Sequence, residues 1–106
     1  MKKLAEYEDL EAVRITGKLL SEIARLQEKL KAKYPDMEKL ERDLQDDKSA
    51  YIEILLDSAP EQIKNILAIL NGVPREEYHC TAATVAIDLN AAFSDEDFAK
   101  LFSMQS

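Results

Sequence analysis

The chain has 106 residues, 46% of them apolar and 33% charged, enough for one compact core and too rich in aliphatics for a disordered tail. Fourteen Lys and Arg stand against 21 Asp and Glu, a formal net charge of −7 that is repelled by phosphate backbones and anionic lipid, which argues against nucleic acid as a partner. No apolar run approaches the roughly 18 residues of a membrane helix, and two glycines with three prolines are too few turn residues for a sheet protein.

Leu, Ala, Glu and Lys dominate, all good helix formers, so the expected fold is all-α: a small bundle of four to six helices, without a sheet, in a single domain over residues 1–106. The opening residues, from Met1 to Glu11, are too polar for a secretory signal and too acidic for a transit peptide, which predicts a cytoplasmic protein. One cysteine, Cys80, has no second thiol to bridge and fits a reducing compartment. Charge is uneven along the chain. Residues 1–50 hold 11 basic and 12 acidic side chains, and residues 51–106 hold 3 and 9. A macromolecule bound by the second half should therefore be neutral, apolar or basic.

The first long segment covers residues 3–33. Leu19, Ile23, Leu26 and Leu30 fall at spacings of four, three and four, one stripe of an amphipathic helix. Upstream, Leu4, Leu10, Val13 and Leu20 give a looser pattern interrupted at Thr16-Gly17. Gly17 costs about 1 kcal/mol against alanine in a helix interior, so it marks either a break between two helices or a close helix crossing. The stripe spans under two heptads before Pro35, which favours an ordinary core face over a coiled-coil seam.

Tyr34-Pro35-Asp36 ends the segment, because a residue before proline is pushed out of the α region, and Asp36 can cap a new helix. Met37, Leu40 and Leu44 keep a helical spacing that Asp43, Gln45, Asp46, Asp47 and Lys48 dilute. Residues 34–50 read as a helical, mobile and mostly solvated connecting segment, after which Tyr51, Ile52, Leu55 and Leu56 restore an apolar face. Ser58-Ala59-Pro60-Glu61 has the spacing of a capping box with proline in the first turn. The helix it opens packs through Ile63, Ile66, Leu67 and Leu70, and Asn71-Gly72 stops it ahead of Pro74. Residues 75–78 suit a single turn. Residues 81–93 then form a helix with Ala82, Val85, Ala86, Leu89 and Phe93 on one face. Ser94 and Asp97 repeat the capping arrangement before a short closing helix with Phe98, Leu101 and Phe102, an aromatic cluster that reads as a closing core element more readily than as a docking patch.

Candidate chemistry is sparse. His79-Cys80 is the only pairing that suggests a site, yet adjacent side chains rarely face each other, and nothing in the pattern holds Asp88 or Glu76-Glu77 beside the imidazole. A surface histidine and a half-buried cysteine at a helix start are expected. There is no second histidine and no paired cysteine for a metal, and glycines at 17 and 72 alone build no phosphate loop. Neither enzymatic activity nor a cofactor is expected. Asp95-Glu96-Asp97 is accounted for by a helix N-terminus, where negative charge complements the dipole.

The order of the helical phrases carries a resemblance. An N-terminal helix reads Arg14-Ile15-Thr16-Gly17-Lys18-Leu19-Leu20-Ser21-Glu22-Ile23-Ala24, followed by a charged middle. A proline-led helix follows, Ala59-Pro60-Glu61-Gln62-Ile63-Lys64-Asn65-Ile66-Leu67-Ala68-Ile69-Leu70-Asn71-Gly72-Val73. The chain closes on Glu77-Tyr78, an aliphatic helix, Phe93-Ser94-Asp95-Glu96-Asp97-Phe98 and Leu101-Phe102-Ser103. This resembles the small tail assembly chaperones of long-tailed bacteriophages. The resemblance implies a non-enzymatic, oligomeric protein of the infected host's cytoplasm, absent from the mature virion. It would bind the helical tape measure protein, and with it the tail tube protein, and keep the tape measure soluble during assembly. Phe98, Leu101, Phe102, Ile63, Leu67 and Leu70 are the apolar residues expected to meet the client, so Phe98→Asp with Phe102→Asp should spare the fold and lose binding. The alternative is a helical regulator of antitoxin type that neutralises a small basic protein.

Overall fold

A computed structural model describes residues 3–43 and 47–104. Six α-helices and two 3-10 turns account for the regular structure among them, with no strand: α1 (Asp9–Lys33), α2 (Met37–Asp43), α3 (Lys48–Ser58), α4 (Pro60–Leu70), α5 (Ala82–Ser94) and α6 (Glu96–Met104), with the turns at Leu4–Glu6 and Arg75–Glu77. The all-α bundle expected from composition is the fold observed. Residues 44–46 of the connecting segment lie outside the described residues.

α1 is unbroken through Gly17, and a β-carbon built there meets nothing within 4 Å. Gly17 is thus neither a break nor a close crossing. The Leu19, Ile23, Leu26 and Leu30 stripe is fully buried, and its most extensive partner is α4, whose Ile63, Ile66, Leu67 and Leu70 face it from the other side of the core. Leu55 of α3, Leu89 and Ala92 of α5, Phe98 of α6 and Tyr78 complete one continuous cluster. Burying each large aliphatic contributes about 1.5–3 kcal/mol. Of the expected face of α5, Leu89 is buried and Val85 and Phe93 are half-buried, whereas Ala82 and Ala86 are exposed; Ala92 joins the core instead.

The helix ends show how local chemistry sets the path. Asp36 caps α2 as expected, accepting from the Lys39 amide at 3.0 Å. At the next corner Pro60 forces Ala59 out of the helical region (φ −143°, ψ 58°), so Ala59 closes α3 and opens α4 with no residue to spare. Ser58 is thereby held inside α3 and cannot cap α4; its hydroxyl oxygen is buried without a partner. The capping box read from Ser58 and Glu61 does not form. Gly72, at φ +70°, ends α4 with a left-handed residue: its amide donates to the Ile69 carbonyl at 3.0 Å and that of Val73 to Ala68 at 3.1 Å.

α5 opens on a reciprocal box in which the Thr84 amide donates to the Thr81 hydroxyl (3.3 Å) and the Thr81 amide to the Thr84 hydroxyl (2.7 Å). The cap of α6 is Asp95, not Ser94. The Asp97 amide donates to Asp95 Oδ1 at 3.0 Å, while the Ser94 hydroxyl turns back to the Asn90 carbonyl. The second Asp95 oxygen accepts from the Leu4 amide at 2.9 Å and so ties the N-terminal turn to α6.

Candidate interaction surfaces

α1 has 25 residues and α4 has 11, about 37 Å of helix against about 16 Å, so α4 cannot cover its neighbour along the whole length. Among the described residues, the first turns of α1 lie against the Leu4–Glu6 turn, α6, Ile69 and the corner after α4. Leu10 and Val13 are left 72% and 68% exposed one turn apart, with Leu20 half-buried further along the helix. Among the described residues, Ile87 on α5 is the third large apolar residue in the open, at 66%.

The six residues expected to meet a client sit elsewhere. Ile63, Leu67, Leu70 and Phe98 are core residues, and Leu101 and Phe102 are half-buried against them. The three phenylalanines pack on one another, Phe93 edge-on to Phe98 and to Phe102 with ring centroids 5.6 Å apart in both pairs. Tyr51 of α3 meets Phe102 at 6.4 Å, also edge-on. This aromatic cluster fastens α6 to the bundle.

A different feature lies between α1 and the end of α4. Two adjoining depressions, of about 520 and 400 Å³, share Lys18, Ile69, Val73 and Pro74 and open to solvent along their length. One is extended by Ala68, Asn65 and Arg75, the other by Ile15, Arg14 and Glu11. The floor is aliphatic and the rim carries Arg14, Lys18 and Arg75, all exposed. Glu22, at the edge of the larger depression, is buried and committed: it accepts from Arg25 Nη1 at 2.8 Å and from Asn65 Nδ2 at 3.1 Å. That bond orients the Asn65 amide and leaves its buried Oδ1 without a partner. Reading the chain missed this cleft because scattered lysines and arginines look like a solvated face. The available signal was the four-residue step from Arg14 to Lys18, repeated from Arg25 to Lys29, on a helix with six basic and four acidic side chains in a −7 protein.

Polar chemistry elsewhere is structural. The Tyr78 hydroxyl donates to Asp88 Oδ2 at 2.7 Å, and Asn71 Nδ2 reaches the same oxygen at 3.4 Å and the Leu67 carbonyl at 2.7 Å. Burial, then the bond to Asp88, raises the Tyr78 phenol above its ordinary range. The Tyr7 hydroxyl donates to the Leu70 carbonyl at 3.1 Å, and burial with nearby Glu11 and Glu6 raises that phenol too. Exposed Lys33 and Asp57 pair at 2.7 Å, a hydrogen bond that raises the ammonium pKa and lowers the carboxyl pKa. His79 and Cys80 are both exposed, the cysteine more so than expected, and Asp88 is engaged by Tyr78 rather than by the imidazole. Among the described residues no three His, Cys, Asp or Glu side chains are grouped to hold a metal ion, and no helix is long and apolar enough to cross a membrane. Comparison with family models, with curated proteins and with solved structures returns no match.

Proposed function

We propose that this chain is a non-enzymatic assembly chaperone that shields a long helical protein, the tape measure of a bacteriophage tail, before tube subunits enclose it. The order of helical phrases from Arg14 to Ser103 suggests the role, and the exposed pair Leu10 and Val13 is the observation that carries it. Two large aliphatics in the open on one rigid helix offer apolar area to a client helix without unfolding the bundle. Several copies acting as an oligomer along one client would convert individually weak contacts into stable shielding.

Co-expression with a candidate tape measure tests the reading. The native chain should carry the otherwise insoluble client into the soluble fraction, and Leu10→Asp with Val13→Asp should lose this while keeping its helical circular dichroism. A client that stays insoluble with the native chain ends the proposal. A stoichiometric complex with a small basic protein would instead support the regulator reading, which the excess of nine acidic over three basic residues in 51–106 favours.

A further inference from the structure

We propose that the cleft between α1 and the end of α4 binds an acidic amphipathic helix of another protein, independently of the assembly role. The floor and the rim ask for different chemistry. Ile69 and Val73, with Ala68 on one side and Ile15 on the other, present aliphatic surface in two sockets. The α1 residues lining the two sockets centre about five residues apart, about 7.5 Å along the axis, a separation that two apolar side chains one turn apart on a docked helix can bridge.

Charge selects the sign of the occupant. Arg14, Lys18 and Arg75 rim the cleft from both walls; Glu22 is neutralised by Arg25, and Glu11 is the remaining carboxylate. The cleft is thus locally cationic on a chain whose net charge is −7. A polyanion such as nucleic acid meets three cations here and repulsion from the rest of the molecule. A short peptide with leucines on one face and carboxylates on its flanks satisfies the aliphatic floor and the cationic rim together along the two adjoining depressions.

The test uses the full chain and two fluorescein-labelled helical peptides with the same leucines at i, i+4 and i+7. One carries glutamate on its flanks and the other lysine at the same positions, and binding is read by fluorescence anisotropy. The acidic peptide should bind at least about tenfold more tightly at low salt, and the preference should shrink as salt is added. Lys18→Glu with Arg75→Glu should reverse the preference, and Lys18→Gln with Arg75→Gln should erase it; both pairs are exposed, and circular dichroism checks that they fold. Leu10→Asp, outside the cleft, should change neither affinity. No binding of the acidic peptide, equal binding of both, or loss with Leu10→Asp but not with the charge variants would overturn the proposal. Client solubilisation in co-expression reads the assembly role separately, so either can fail alone.

Discussion

Gly17 and Gly72 receive the same substitution with opposite signs. An alanine at Gly17 meets open space inside a regular helix, so Gly17→Ala removes only the entropic cost of glycine and should stabilise the fold by about 0.5–1 kcal/mol. At Gly72 the new β-carbon would lie 3.7 Å from Tyr7 Oη, an ordinary contact, but the backbone stands at φ +70°. Gly72→Ala should therefore destabilise by about 1–2 kcal/mol. Thermal melts followed by circular dichroism decide both, with a rise of a few degrees for the first and a comparable or larger fall for the second. A fall for Gly17→Ala would mean that another chain packs closely over that turn. From sequence alone the two glycines differ only in context: the Asn-Gly before Pro74 declares a helix end, whereas Thr16-Gly17 looks like an interruption and is none.

At the level of the elements, the period of the apolar residues made helices and core faces legible, while the junctions between them were not. Leu19 to Leu30 and Ile63 to Leu70 declare their buried faces because side chains three and four apart share a face. Ser58 and Ser94 misled for one reason. A serine three residues before an acid satisfies the spacing of a cap, but the same residue can be the last turn of the preceding helix when the chain turns within one residue. The structure gives the discriminating experiment. If Ser58 capped α4, Ser58→Ala would cost about 0.5–2 kcal/mol. As a buried hydroxyl without a partner, its removal should be neutral or slightly stabilising in urea denaturation. Phe98 and Phe102 were legible as a closing core element, the reading that the cluster favours over a docking patch: the aromatic face of this nine-residue helix packs on Phe93 and Tyr51. Phe98→Ala should cost about 3–5 kcal/mol, and the Phe98→Asp, Phe102→Asp pair should detach α6 rather than leave the fold intact.

For the molecule as a whole, two phenols pin the connections around the end of α4, and this makes stability depend on alkaline pH. Tyr7 ties the N-terminal turn to the Leu70 carbonyl, and Tyr78 ties the corner after α4 to Asp88 on α5. Both phenols titrate above their ordinary value of 10.0 in the folded state. The native state therefore holds protons that the unfolded chain has already released, so the slope of stability against pH is negative in that window. Their contribution is complete below pH 10 and is lost as the pH rises through 10 toward the folded-state values. Lys33, raised by its bond to Asp57, adds a decline of the same sign at an exposed site, so the decline alone does not identify the tyrosines. Tyr7→Phe with Tyr78→Phe does. At pH 8 the pair should lose about 1 kcal/mol per hydrogen bond, and its urea midpoint should then fall less steeply than that of the native chain as the pH is raised past 10. Parallel midpoints for the two proteins across that range would mean that the phenols are not held protonated by these contacts, and that the N-terminal turn is held by packing and the Leu4–Asp95 hydrogen bond while the corner at Tyr78 is held by packing.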